Sequence, residues 1–415
     1  MVARDGASYV AHERRGPVRG EIMKQKPINQ QVVVVMGASS GIGRATALRF
    51  AARGAAVVAA ARNRKGLDTV VAGILEGGGK AVAIVADTAD AKQVKAVADG
   101  AVAEFGRIDT WAHVAGVGVY GTVEQITPEE YERLIEVNLL GQIYGALAAL
   151  PHLRATGRGT LIHVSSVEGR VAYALSSGYA ASKHGMIGFL DALRLELERE
   201  GVPIAVVNIM PAAIDTPFFE AARTHLGVAP RPPDPVYAPE IVAEAIVDAA
   251  EHPMRDIVVG GAGAGAIAAK RLAPRLLHEV LLTPSGFEAQ LTTRPRSPNA
   301  PDNLFTPTPD ELLRVHGQAT AISKRTSLYT RIATSASVRL TRELSRPLLR
   351  LMASAVGALW AARYGKAYRG ITLRSGPGAG LPDPVVKQMD REGVRETSAV
   401  EPEDEGPRAG RAREG

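Results

Sequence analysis

Two rhythms of apolar and polar residues take turns along the first two thirds of the chain. The run Val32 to Val35 is apolar at every position, as in a strand buried on both faces, and it feeds through a glycine-rich turn into a helical pattern carrying Ala45, Leu48 and Phe50. The same exchange then repeats. Strand patterns AAVVAAARNR, KAVAIVAD, IDTWAHVAG, GTLIHVSS, VPIAVVNIMPAAIDTP and RDIVVGG alternate with helical ones such as DAKQVKAVADGAVAEFG, TPEEYERLIEVNLLGQIYGALAALPHLRA, GYAASKHGMIGFLDALRLELERE and APEIVAEAIVDAAEH. Strands separated by helices throughout pair in parallel through right-handed crossovers, which predicts an α/β fold with a doubly wound parallel sheet and flanking helices. The pattern bounds this domain at residues 31–261. Ligands of such sheets sit at the carboxyl ends of the strands, where Gly37, Asp87, Gly116, Ser166 and Pro211 fall.

The flanks lack this regularity. Residues 1–30 are polar, rich in Arg and Gly, and read as a disordered leader, with Met23 an alternative start to Met1. Residues 262–374 form an extension outside the alternating pattern. Its opening GGAGAGA reads as a flexible connector, because no further strand and helix pairs follow to build a second phosphate site. Leu272, Leu276, Leu277 and Val280 recur at helical spacing, predicted to pack on the main domain or on another subunit. The stretch TTRPRSPNAPDNLFTPTPDE, rich in Pro and polar residues, reads as linker. Further on, Arg339, Arg342, Arg346 and Arg350 share one helical face, while Leu340, Leu344, Leu348 and Met352 share the opposite one. The apolar run LMASAVGALWAA follows, flanked by basic residues. It is too short to span a bilayer and is suited either to packing on protein or to peripheral contact with an anionic membrane surface. Residues 375–415, dense in Gly, Pro and charge, read as a disordered tail.

Composition narrows the chemistry. The 415 residues include no cysteine, which excludes disulfides, thiolate nucleophiles and thiolate metal sites. A net charge of +6 permits anionic partners, but no basic run is interleaved with aromatics, so nucleic acid is not expected as a partner. With no signal-peptide pattern at the start, a cytoplasmic protein is expected, membrane-associated only if the amphipathic region directs it there.

The first candidate chemistry lies in the turn after the Val run. Gly37, Gly41 and Gly43 form G-x-x-x-G-x-G, with Ser39, Ser40 and Ile42 between them. Glycines here permit a tight turn and let the backbone approach a pyrophosphate at a helix N-terminus, where free N–H groups and the dipole favour negative charge. The end of the second strand bears on which dinucleotide is held. It reads Ala60, Ala61, Arg62, Asn63, Arg64, with no carboxylate for a ribose 2′-hydroxyl, whereas Arg62 offers a fork to a 2′-phosphate. NADP(H) is therefore expected over NAD(H).

The second lies in SSVEGRVAYALSSGYAASK. Tyr179 and Lys183 stand four residues apart, on one face if the segment is helical, and Ser166 lies thirteen residues before the tyrosine. A free tyrosine, with its pKa near ~10, is a poor base at neutral pH; an adjacent ammonium favours the phenolate and a serine hydroxyl can hold a substrate oxygen in line.

With the glycine turn, Asn138, Ser166, Tyr179 and Lys183 all in order, the region from about residue 30 to 260 resembles the classical short-chain dehydrogenase/reductase family, whose fold is of Rossmann type. The resemblance implies that Tyr179 is the catalytic acid/base, that Lys183 binds the nicotinamide ribose and lowers the tyrosine pKa, that Ser166 orients the substrate oxygen, and that Asn138 supports a water relay. It implies an adenine contact at Asp87 and carboxamide contacts at Ile214 and Thr216 after Pro211. It also implies a homodimer or homotetramer paired through the helices that begin near Glu129 and Gly178. Met36, His113, Val114 and Ala212 depart from the family pattern without removing a catalytic group. His113 reads as a hydrogen-bonded residue at a strand end. The substrate pocket is expected around Tyr120, Glu168 and Phe218, together with Ser166 and Tyr179, and is largely apolar, which favours a lipophilic ketone or alcohol. An alternative is an NADP(H)-binding sensor or scaffold that acts through the extension. Such a protein needs the glycine turn and Arg62 but has no need of Ser166, Tyr179 and Lys183 together, so the trio favours an oxidoreductase.

Overall fold

The computed structural model describes residues 25–297 and 299–341, with Ser345, Met352 and Ala353 beyond them. The predicted alternation is realised. Strand β1 (Val32–Met36) runs into α1 (Gly41–Ala52), β2 (Ala56–Ala61) into α2 (Arg64–Glu76), and β3 (Lys80–Val85) into α3 (Ala91–Phe105). Then β4 (Thr110–His113) and the short β5 (Val119–Tyr120) lead to α4 (Pro128–Ile135), which Thr127 and Glu130 close with a reciprocal capping box. The helix expected as one piece passes through a π-helical turn, Glu136–Leu140, before α5 (Gly141–Ala155). Asn138 sits in that turn, an irregularity that often marks a functional position. The domain continues with β6 (Gly159–Val164), α6 (Ser177–Glu200), β7 (Ile204–Pro211), α7 (Phe218–Ala221), β8 (Arg223–Thr224), β9 (Val228–Pro230), α8 (Pro239–Glu251) and β10 (Asp256–Val259).

Seven strands form one parallel sheet in the order β10-β7-β6-β4-β1-β2-β3. The strand order reverses between β1 and β4, and the crevice at that switch point opens beside Met36 and His113, their last residues. All five residues of β1 are buried, because helices cover both faces of the sheet. One face packs Phe50, Leu67, Ile246 and Val247 against it; the other packs Trp111, Leu153, Met186 and Leu190.

Three expectations for the flanks change. Residues 25–30, read as the end of the leader, are part of the fold: Ile28 is buried and Lys26 pairs with Asp109 at 2.6 Å. The glycine-rich opening of the extension is helix α9 (Gly261–Leu272). Its small residues serve close packing, since a Cβ on Gly263 would lie 2.5 Å from the Val167 side chain and 3.1 Å from that of Ala212. After α10 (Pro274–Leu282) and α11 (Pro284–Phe287), the predicted linker opens as strand β11 (Leu291–Pro295), antiparallel to β9, and runs back across the main domain. Its prolines remove donors, but its carbonyls are met by arginines, Arg62, Arg133 and Arg296 among them, and its Leu304 is fully buried against Val117, Val119, Leu134 and Val137. A helix α12 (Leu328–Ala333) packs near β10, so the first compact unit ends at Glu343 and not near residue 261.

Leu272, Leu276 and Val280 are exposed and do not pack on the main domain. Of the basic face farther on, Arg339 pairs with Asp248 at 2.7 Å. Arg342, Leu344, Arg346, Leu348 and Arg350, most of the apolar run after them, the tail and residues 1–24 lie outside the described residues. Among the described residues one helical segment, Pro128–Ala155, is long and apolar enough to cross a membrane, and it packs on the sheet through Ala146, Ala149 and Leu153.

Candidate active site

The glycine turn follows β1 directly, and its geometry explains its composition. Gly37 has φ +88°, and a Cβ there would lie 2.7 Å from the Ala115 nitrogen; a Cβ on Gly43 would fall on the Gly37 carbonyl. Backbone therefore packs on backbone, and α1 begins at Gly41, beside the crevice. The cleft is lined by the turn residues Gly37, Ser39, Ser40, Gly41, Ile42 and Gly43, by Arg62 and Asn63 after β2, by Gly116 and Val117 after β4, and by Thr216 and Phe218 after β7. These residues fit a dinucleotide: a side-chain-free cradle at a helix N-terminus for the pyrophosphate, and an arginine at the ribose end.

The catalytic candidates gather behind two residues of the cleft wall, Gly116, which packs on Asn138 and Lys183, and Phe218, which packs on Tyr179. Helix α6 places Tyr179 and Lys183 on one face, the Lys183 ammonium 5.6 Å from the centre of the Tyr179 ring. Lys183 is buried and donates to the Val164 carbonyl at 3.0 Å, and burial pulls its pKa down to about 8. Ser166 caps the turn after β6, where its hydroxyl accepts from the Glu168 N–H at 3.0 Å and its bond to Tyr179 favours the phenolate. Ser165 points elsewhere, donating to Asn208 at 2.5 Å inside the sheet. Asn138 is held from both sides by the Val117 peptide, donating to its carbonyl and accepting from its N–H, each at 2.9 Å. A Cβ on Gly116 would lie 3.4 Å from the Asn138 Oδ1 and 3.6 Å from the Lys183 Nζ, so the strand end packs directly against both.

The tyrosine does not carry the lowered pKa expected from its lysine. Burial and the neighbouring Glu168 carboxyl push the phenol up, and Ser166 opposes them only in part. Glu168 itself is pushed up to about 7 by burial, with Ser176 donating to it at 2.8 Å. Phe218 lies over the tyrosine, ring centres 5.5 Å apart, and Phe219 packs on Tyr120 at 6.3 Å. A Cβ on Gly118 would lie 2.8 Å from the Phe218 ring, so α7, whose Phe218 covers Tyr179 in the manner of a lid, seats on bare backbone.

Other expected contacts are placed differently. The Asp87 carboxylate is taken by Arg133 at 2.5 Å, leaving Ala86 and Thr88 to line the cleft. Pro211 is the last residue of β7, Ile214 packs into the core, and Thr216 lines the cleft. His113 is a buried strand-end residue bonded to Thr88 at 2.8 Å and stacked on His163, its pKa pulled well down by burial. Nothing in the local sequence pattern marks Asn303 and Thr308, which the extension brings to the cleft beside Arg62.

The short chain dehydrogenase family model matches residues 31–227, and the chain is 37% identical over 295 residues to the uncharacterized oxidoreductase YxnA of Bacillus subtilis (strain 168), a match covering 71% of this chain and 83% of the relative. The chain belongs to the short-chain dehydrogenase family. Within it, the chain is 34% identical to the cyclohexanol dehydrogenase of Acinetobacter sp. (strain SE19) over 55% of this chain and 92% of that enzyme. Among solved structures, the short-chain dehydrogenase/reductase from Burkholderia phymatum in complex with NAD superposes with a TM-score of 0.56 at 22% identity, over 61% of this chain and 96% of that one, which speaks for the shared fold. As a member of this family the chain is an oxidoreductase acting on alcohol and carbonyl groups with a nicotinamide dinucleotide. The match to YxnA is longer than the family-model match, so the resemblance between those two proteins is not confined to residues 31–227.

Proposed function

We propose that this protein transfers hydride between NADP(H) and the carbonyl or secondary alcohol of a lipophilic small molecule. The observation that supports the reading is that Tyr179 and Lys183 share one face of α6, with Ser166 bonded to the tyrosine and Asn138 beside Gly116, next to a cleft lined by the glycine cradle. Preference for NADP(H) rests on Arg62, which lines the cleft, and on the absence of a carboxylate at Ala60 and Ala61. The lipophilic substrate class rests on Tyr120, Val117, Phe218 and Phe219, which surround the tyrosine with apolar surface.

When bound, the nicotinamide supplies or accepts the hydride. The protein contributes alignment and a proton. Ser166 and the Tyr179 phenol bracket the substrate oxygen. The raised pKa keeps Tyr179 protonated at neutral pH, so the proton is in place for carbonyl reduction. The buried Lys183 ammonium lies close enough to stabilise the phenolate left behind. Phe218 excludes water from the phenol.

The test is a fluorescence titration with NADPH and NADH of the wild type and Arg62→Ala, followed by turnover with a panel of lipophilic ketones. Tighter binding of NADPH, weakened by Arg62→Ala, with turnover lost in Tyr179→Phe by about 10²-fold or more, is the expected result. Binding of NADH alone would overturn the NADP(H) assignment, and binding of neither would overturn the function.

A further inference from the structure

The segment read as a linker lies across the mouth of the dinucleotide cleft and is fastened at both sides. On the adenosine side, Arg62 donates to the Asn303 carbonyl at 2.5 Å and to the Leu304 carbonyl at 3.3 Å. Arg133 donates to the same Leu304 carbonyl at 3.1 Å. Asn63 donates to the Thr308 carbonyl at 2.9 Å and to Asp310 at 3.1 Å, and Lys65 pairs with Asp310 at 3.0 Å. Leu313 packs against Gly66 so closely that a Cβ there would lie 2.8 Å from it.

On the lid side, Arg314 holds both Glu220 carboxylate oxygens at 2.7 Å, and Gln318 adds a third bond at 2.6 Å. Asp215, buried beneath the lid, accepts from the Ala319 N–H at 2.9 Å and the Thr320 hydroxyl at 2.8 Å. A Cβ on Gly317 would lie 2.7 Å from the Thr216 carbonyl, so backbone meets backbone here too. Between the two sides, the Arg314 carbonyl accepts the N–H of Gly41, the first residue of α1 in the glycine cradle, at 2.9 Å. One chain segment thus joins the cradle, the end of β2 and the lid that carries Phe218.

The cleft so covered holds about 150 Å³. Pockets for small molecules usually hold ~300–1,000 Å³, and a dinucleotide is large among such ligands. A dinucleotide therefore needs a wall of this cleft to give, and the segment that crosses its mouth is the wall held on by side-chain bonds to both sides. We propose that residues 302–320 are a clasp that forms the outer wall of the dinucleotide site, holds the Arg62 fork in place for the ribose, and slows exchange of the nucleotide. This rests on the dinucleotide reading above. The Arg62 guanidinium has five N–H groups, and those not given to Asn303 and Leu304 remain for the ligand, so the clasp orients the fork without consuming it. The Lys65–Asp310 pair is exposed and weak, so residues 305–320 can lift while Leu304 stays in the core, and the bidentate Arg314–Glu220 pair is the main fastening that must part.

The absence of cysteine provides a clean probe. In Thr308→Cys the single thiol faces the cleft, and maleimide labelling is measured with and without saturating NADPH or NADH. Protection of at least tenfold by the nucleotide that binds is expected. In parallel, stopped-flow fluorescence follows release of that nucleotide from the wild type, from Asp310→Ala/Arg314→Ala and from Gly317→Ala. Release at least tenfold faster in the variants is expected. If the nucleotide binds but the thiol is labelled equally fast and release is unchanged in both variants, the clasp is overturned and the dinucleotide site stands. If neither nucleotide binds the wild type, both fall.

Discussion

At the scale of single residues the active site is a set of groups whose charge is decided by burial. Glu168, pushed up to about 7, changes charge within the working range, and once ionised it disfavours the Tyr179 phenolate. That phenolate develops in reduction, so kcat/KM for carbonyl reduction is expected to fall as pH rises through about 7. Glu168→Gln should remove that limb from the pH–rate profile. The same shift bears on stability. A carboxyl raised in the folded state contributes most below its unfolded value near 4.5 and loses that contribution as pH rises through about 7, so the Tm difference between pH 5 and pH 8 should narrow in Glu168→Gln. Lys183 has the opposite sign: its pKa is lowered to about 8, so its buried charge opposes folding below that pH. Lys183→Met is expected to abolish turnover while raising Tm at pH 7, a combination that marks a functional group held at the expense of stability.

At the scale of elements, the cradle and the π-helical turn position the chemistry. The pattern of G-x-x-x-G-x-G was legible because each glycine answers a backbone contact: Gly37 against Ala115, and Gly43 against the Gly37 carbonyl. Gly43→Ala is expected to keep the sheet but to weaken nucleotide binding at least tenfold, read by the same fluorescence titration. Asn138 was legible as a residue but not as part of a distorted helix. An apolar helical pattern such as VNLLG does not reveal that one residue is looped out to let the side chain grip the Val117 peptide. Ile214 and Asp87 show the converse. Their place in the motif order does not reveal that the core takes the first side chain and Arg133 the second.

At the scale of the whole molecule, the extension is structural. Leu304 fills a core position in the main domain, so Leu304→Ala is expected to destabilise the protein by about 2–5 kcal/mol, measured by denaturant unfolding. Removing everything beyond residue 261 should be more severe, exposing Val117, Val119 and Leu134 and releasing Glu220, Asp215 and Arg223 from their partners.

The sequence by itself determined the doubly wound sheet, the glycine cradle and the spacing of Ser166, Tyr179 and Lys183, because these depend on local periodicity and on contacts within one strand-turn-helix unit. Only the tertiary structure decided where the extension goes. Its prolines and polar residues carry the signature of a linker, and what fixes it is arginines more than a hundred residues away in the chain, offering donors to its carbonyls. The tertiary structure decided the protonation of the site for the same reason. Burial of Tyr179, Lys183 and Glu168 sets their charge, and burial is a property of what packs around a residue, not of its neighbours in sequence.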